Sequence, residues 1–176
     1  GIYDGRGLAA SLALGAVGVW MGTRFIASEE AHAANLYKQT IIGAGDTDTT
    51  RTRCYSGKPM RCRTNEYIKD WESRPEDIQP FPQQAIHSNK TGVIESGLVR
   101  AVSDGSGHDL KTGVIGGIGG ITDEAKLDPD TSCFAMGQSA GGVKDVLPVK
   151  DIVERIIKEA DDSISRITAF RQTATA

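Results

Sequence analysis

The spacing of apolar positions along this chain changes repeatedly, and the changes mark its predicted elements. From Asp4 to Leu14 the segment DGRGLAASLAL sets Leu8 with Leu12 and Ala9 with Ala13 at i, i+4, the period of a helical face. Asp4 is placed to cap the first turn and Gly15 to end the helix. Ala16 to Met21, AVGVWM, is instead almost continuously apolar, as a strand buried on both faces of a parallel sheet requires and an alternating edge strand does not. The small Gly18 predicts close packing on one side. Gly22-Thr23-Arg24-Phe25 reads as a turn, and Ser28, Glu29 and Glu30 open a second helix through about Ile42, the acidic pair complementing the helix dipole. Strand and helix thus alternate in α/β fashion, and the chain opens inside such a unit.

The pattern then shifts. Thr49 to Tyr55 and Met60 to Thr64 predict two short strands around Ser56-Gly57-Lys58-Pro59, a hairpin signal. After Asn65, NEYIKDWESR predicts a short helix, and Pro75, Pro80 and Pro82 mark an extended connector. Gln83 to Val102 predicts a helix weakened at Thr91-Gly92. Residues 104 to 130 carry DGSG, GVIGGIGG and DPD and read as an exposed insertion; GGIGG fits no GxGxxG frame and follows no clear strand. The clearest helix comes last, with Val149, Ile152, Val153, Ile156, Ile157 and Ala160 on one face and Pro148 suited to its first turn. Asp151 with Arg155 and Glu154 with Lys158 are expected to pair on its outer face, and the tail beyond Ile167 to fray.

Composition narrows the class. A chain of 176 residues is long enough to bury a core of its own, while 39% hydrophobic residues and 21 glycines predict many turns. The net charge of −3, from 20 basic and 23 acidic side chains, gives no electrostatic footprint for nucleic acid. Arg51, Arg53, Lys58, Arg61 and Arg63 alternate with Thr50, Thr52, Cys54 and Cys62 as on the solvated faces of two strands. Cys54, Cys62 and Cys133 match neither a zinc knuckle nor a redox CxxC and are expected to be reduced, although Cys54 and Cys62 are placed to face each other across the hairpin. No metal site is expected. No apolar run approaches a bilayer span and the first residues lack a basic n-region, so the expectation is a soluble, cytoplasmic protein. The first residue is not Met and already belongs to a turn, which suggests part of something larger.

Side-chain chemistry is sparse. His32, His87 and His108 are scattered, with no triad, HExxH, Walker sequence or nucleophile elbow around them, and Glu29-Glu30 and Asp161-Asp162 fall on helix surfaces. What remains is backbone chemistry. Gly1, at the exit of one presumed strand, and Gly22-Thr23, at the exit of the next, can aim N–H groups and the Thr23 hydroxyl at one phosphate, because a Cβ would hold an anion away from the amides. Plain turn glycines are the competing reading.

GIYDGRGLAASLALGAVGVWMGTRFIASEE closely resembles the segment of nitronate monooxygenases, the 2-nitropropane dioxygenase family, from the end of the seventh barrel strand through the eighth. CFAMGQSAGGVKDVLPVKDIVERIIKEA resembles that family's closing segment, and its GQSAGG part also resembles flavin-dependent enoyl reductases. The resemblance implies an α/β fold: the carboxyl-terminal part of a TIM (β/α)8 barrel, incomplete in this chain, with an additional mainly helical segment. Residues 1–45 would be the last βα units, 46–147 a helical and hairpin accessory region, and 148–176 a closing helix and tail. It implies FMN with its phosphate at loops after strands seven and eight, so that Gly1, Gly22 and Thr23 match phosphate-turn positions and Gln138 a residue near the flavin. The implied reaction oxidises an alkyl nitronate or nitroalkane with dioxygen to a carbonyl compound and nitrite, in a protein that can form a homo-oligomer. The family's catalytic histidine lies upstream, so no catalytic residue is assigned here and the chain alone is expected to be inactive. An FMN-dependent enoyl or NADH:quinone reductase and a non-catalytic remnant or partner-binding module are the alternatives.

Overall fold

The computed structural model describes residues 1–96, 118–119 and 124–174. Helix α1 spans Gly5–Ala13, and the Asp4 carboxylate accepts the Gly7 N–H at 2.9 Å, the cap expected from the sequence. It ends at Gly15, whose φ of +94° only glycine adopts without strain.

Ala16–Met21 do not form the predicted strand. The segment is irregular, has no ladder partner among the described residues, and leaves Leu14, Val17 and Trp20 almost wholly exposed. A Cβ built on Gly18 would meet nothing within 4 Å, so the expected close packing is absent too. The physical reason is coverage: an apolar run leaves water only where neighbouring strands satisfy its backbone and cover both faces, and no described segment does so here.

The predicted Ser28–Ile42 helix is divided. A single turn, α2, spans Thr23–Ile26, and α3 spans Asn35–Ile42 with Gly43 at its end. Between them Ser28 forms a parallel bridge to Leu147, and the Glu29 N–H donates to the Leu147 carbonyl at 3.0 Å. Glu30 caps a different helix from the one expected, its carboxylate accepting the Val149 N–H at 2.9 Å.

The hairpin forms as the pattern predicts. Strands β1 (Thr49–Thr52) and β2 (Met60–Arg63) pair antiparallel, Thr50 opposite Cys62. Arg51, Arg53 and Lys58 face solvent while Thr52, Cys54 and Cys62 are buried, the period-two alternation of a half-covered sheet. Cys54 lies beyond the end of β1, and the sulfur nearest Cys62 is instead that of Cys133, 3.6 Å away, with all three thiols free. Helix α4, Glu66–Glu72, starts where Asn65 accepts the Ile68 N–H at 3.0 Å. Helix α5 spans only Gln83–Lys90, because Gly92 at φ +76° turns the chain into β3, Glu95–Ser96, which pairs with β4, Ile118–Gly119. Residues 97–102 of the predicted helix, and most of the predicted insertion, lie outside the described residues.

Helix α6, Val149–Ala174, continues through the tail expected to fray. Its buried stripe is Ile152, Ile156, Ala160 and Ser163, a narrower set than predicted, and it packs on α1 where Gly5 and Ala9 are buried. Each buried isoleucine contributes about 2 kcal/mol. Val153, Ile157, Ile164 and Ile167 on the flank remain exposed. Arg155 pairs with Asp145 at 2.7 Å, outside the helix, in place of Asp151, while Glu154 and Lys158 take other i, i+4 partners within it, Lys150 at 3.8 Å and Asp162 at 4.0 Å.

Two cores result. The first joins Ala27, Tyr37, Ile41 and Ala44 to Phe134, Met136, Ala140 and Val143. The second gathers Cys54, Tyr55, Cys62, Ile68, Val93, Ile94 and Cys133, with the Tyr55 ring stacked on Tyr67 at 5.0 Å.

Candidate functional site

Three segments distant in sequence meet at one turn of 3-10 helix, Gln138–Gly142, whose Ala140 is wholly buried in the first core. The first is the chain's opening turn. Gly1 lies so close to Ser139 that a Cβ on it would fall 2.9 Å from both Ser139 Cβ and Oγ, and the Tyr3 ring lies over Gly142, where a Cβ would come within 1.9 Å of Cζ. The second is Gly22-Thr23, at the start of α2. Thr23 Oγ1 accepts the Gly137 N–H at 3.0 Å, tying that turn to the residue before Gln138. The third is the loop after α3, since a Cβ on Gly141 would approach the Asp46 backbone nitrogen to 2.6 Å. Glycine is required at Gly141 and Gly142, the carboxyl end of this turn, by contact, because the facing chains already occupy the space of a side chain.

Gly1, Gly22, Thr23 and Gln138, separated by up to most of the chain, therefore surround a common corner. Thr23 is 8% exposed, whereas Gly1, Gly22 and Gln138 face solvent. A Cβ on Gly22 would meet nothing within 4 Å, which leaves an open approach to the first turn of α2. The Phe25 and Ile26 N–H groups donate to the Gly22 carbonyl, and the donors ahead of them have no intrahelical acceptor. Thr23 Oγ1 is an acceptor in its bond with Gly137, so its own proton remains available to donate. An acceptor-rich anion is the chemistry this corner suits.

Arg24, beside Thr23, turns inward. Its Nη1 donates to Asp145 Oδ1 at 2.8 Å and its Nη2 to the Ala27 and Asp145 carbonyls at 2.9 and 2.8 Å. Its Nε is buried without a partner among the described residues. Burial works to raise the Asp145 pKa, but hydrogen bonds from Arg155 and Arg24 outweigh it and hold the carboxyl below the usual carboxylate range. Sequence reasoning did not find Ser139, Gly137 or the Arg24–Asp145–Arg155 cluster. The Gly137–Ser139 run was legible as a motif, but nothing in the sequence linked Arg24 to a residue so far along the chain.

The thiols and histidines stand apart from this corner. Burial pushes the Cys54 thiol up to about 12, and the Cys133 thiol is held well above its ordinary value by its hydrogen bond with Cys62 and by burial, so neither is a poised nucleophile. His87 packs edge-on against Trp71 at 5.7 Å, His32 is exposed, and His108 lies outside the described residues. A cavity of about 670 Å3 among the described residues is lined by none of Gly1, Gly22, Thr23 and Gln138, although it includes their neighbours Tyr3 and Arg24. No helix among the described residues is long and apolar enough to cross a membrane.

The sequence matches the profile of the nitronate monooxygenase family over residues 1–159. A probable nitronate monooxygenase of Staphylococcus saprophyticus is 46% identical over 84 residues, 48% of this chain and 24% of that protein. One from Staphylococcus aureus is 43% identical over the same length. The chain thus matches about a quarter of the length of these curated relatives. Among solved structures, FabK from Thermotoga maritima aligns over 96% of this chain and 45% of its own, with 32% identity and a TM-score of 0.66. Nitroalkane oxidase from Streptomyces ansochromogenes aligns over 94% of this chain and 39% of its own, with 22% identity and a TM-score of 0.66.

Proposed function

Given that the chain belongs to the nitronate monooxygenase family, we propose that it forms the phosphate-binding corner of an FMN-dependent enzyme that oxidises alkyl nitronates with dioxygen to a carbonyl compound and nitrite. The observation that carries the reading is the bond between Thr23 and Gly137 beside Gly1 and the open Gly22. The corner fits a phosphate: the side of Gly22 that a Cβ would fill is empty, and the donors around it are a hydroxyl and backbone amides that need no net charge. Gly1, Gly22 and Thr23 would hold the phosphate, with Gln138 at the exposed rim toward the ring. FMN, when bound, supplies the one-electron redox chemistry of the reaction. The chain's own residues fix the position of the group. Thr23 donates its hydroxyl proton, its orientation locked by the Gly137 amide, and the clamp of Tyr3 over Gly142 keeps the turn from shifting.

The complete fold we assign is a TIM barrel of which this chain forms the carboxyl-terminal part. The exposed Leu14, Val17 and Trp20 support it, because parallel neighbours on both sides of Ala16–Met21 would remove those side chains from water and satisfy the backbone between them. On the same reading these 176 residues alone do not turn over substrate, because Ala16–Met21 needs parallel neighbours that no described segment supplies. A reduced, cytoplasmic setting suits the three free cysteines.

Titrating the chain with FMN and with riboflavin, which lacks the phosphate, tests the corner. FMN should bind at least about tenfold tighter, the worth of one charge-assisted hydrogen bond; equal affinities would overturn the assignment. Nitrite release from an alkyl nitronate by the FMN-loaded complete protein tests the reaction. A flavin-dependent enoyl or NADH:quinone reductase is the second reading, favoured by the Gly137–Gly142 segment that resembles both groups, and NADH oxidation without nitrite release would select it.

A further inference from the structure

The cavity of about 670 Å3 between α1, α6 and the Asp145 segment has the size of a small-molecule site. Five cationic side chains line it, Arg6, Arg24, Lys144, Arg155 and Arg166, against the four carboxylates of Asp4, Asp145, Glu159 and Asp162. All four carboxylates are already engaged by the protein, Asp162 by Lys158 at 4.0 Å. Asp4 accepts from the Gly7 N–H at 2.9 Å and Arg6 Nε at 2.8 Å, Glu159 from the Gly5 N–H at 2.9 Å, and Asp145 from Arg24 and Arg155 at 2.8 and 2.7 Å. A carboxylate so occupied has little capacity left for an incoming cation, whereas a guanidinium with five donors keeps unused N–H groups after one ion pair.

Arg6 and Arg155 are the cations best placed to use that capacity, with side chains 69% and 49% exposed and bases on different helices. The Tyr3 hydroxyl accepts from Arg6 Nη2 at 3.4 Å and so keeps its own proton to donate. Leu147, Ile152 and Ile156 supply an apolar wall on the other side. We propose that this groove binds a small molecule with an apolar body and a dianionic phosphate head, the head held by Arg6, Arg155 and the Tyr3 hydroxyl. Asp4 takes Arg6 through Nε and Nη2 and Asp145 takes Arg155 through Nη1, which leaves Arg6 Nη1 and Arg155 Nε and Nη2 as donors on separate helices. A tetrahedral dianion with several acceptor oxygens can use more of them than a single carboxylate. None of Gly1, Gly22, Thr23 and Gln138 lines the groove, so it is separate from the proposed flavin-phosphate donors, although Tyr3 and Gly142, which brace the turn beside them, do line it.

The test is calorimetric titration of the full chain with phenyl phosphate, with phenylacetate as the carboxylate arm, repeated on Arg6→Gln and Arg155→Gln proteins. One saturable site is expected for phenyl phosphate, weakened about tenfold in each variant and clearly weaker for phenylacetate. Far-UV circular dichroism establishes that each variant keeps its helices; Arg6, exposed in the first turn of α1, serves if Arg155→Gln loosens α6. Saturating riboflavin, which lacks the phosphate, should leave the binding unchanged. Absence of saturable binding, wild-type affinity in both variants, equal binding of phenylacetate, or displacement by riboflavin would each overturn the proposal. A chain that binds no FMN yet binds phenyl phosphate through Arg6 and Arg155 would sink the flavin reading and leave this one standing.

Discussion

Replacing Thr23 by Val keeps the volume and the β-branch of the side chain and removes only the oxygen, so it isolates the bond that joins the two glycine segments. In the wild-type protein Thr23 Oγ1 accepts the Gly137 N–H at 3.0 Å, and Thr23 is 8% exposed. Without that oxygen the amide is left in a part-buried place with no protein acceptor. A fully buried orphaned donor costs about 1–3 kcal/mol, and the partial access of Gly137 puts this one near about 1 kcal/mol. With a urea m-value of about 2 kcal/mol/M, the denaturation midpoint should fall by about 0.5 M, read by circular dichroism. The hydroxyl is also a proposed phosphate donor, so FMN affinity should fall by about tenfold or more while riboflavin affinity stays unchanged. Thr23→Ser, which restores the oxygen, should recover most of both losses. A Thr23→Val protein with the wild-type midpoint would show that the bond to Gly137 does not organise the corner, and one with wild-type FMN affinity would remove Thr23 from the phosphate site.

Three further outcomes follow from contacts away from that corner. Gly5→Ala should destabilise the packing of α6 on α1 by about 1–3 kcal/mol, because the added Cβ would lie 2.2 Å from the Ile156 carbonyl oxygen and 2.4 Å from the Ala160 nitrogen, both backbone atoms; an unchanged thermal midpoint would refute this. Stability should decline in alkali, since an unfolded chain ionises its thiols above about pH 8.5 while the buried Cys54 holds its proton to about 12. The stabilisation is complete below the unfolded value and lost as pH rises through the folded one, at up to about 1.4 kcal/mol per pH unit, and Cys54→Ala should flatten that slope. Asp145, held below the ordinary carboxylate range, contributes in the opposite sense: its share is present above that range and lost as the pH falls through and below it. Its side chain is 36% exposed, so solvent screening keeps the share below about 1 kcal/mol, and Asp145→Asn should show a correspondingly shallower acid limb.

What the sequence determined by itself was local. Asp4 and Asn65 cap the helices they precede, the Thr and Cys positions of β1 and β2 alternate inward against outward arginines, and the Ile152, Ile156, Ala160 stripe follows the helical period. Each depends on neighbours a few residues away, which composition and spacing encode directly. Gly1, Gly22 and Thr23 were legible for the same reason, as turn glycines and a hydroxyl at element ends, whereas Gln138 came only from the family resemblance. Their assembly was not, because Gly1 meets Ser139, and Thr23 meets Gly137, only once the first core has folded around Ala140. The Ala16–Met21 run shows the other limit: its apolar composition states a preference for burial, but a strand exists only where tertiary structure brings a partner to its backbone. Asp145 likewise takes Arg24 and Arg155 from two separate elements, displacing the Asp151–Arg155 pair that the helix offered, because hydrogen bonds from two guanidinium groups, one of them buried, converge on its carboxylate.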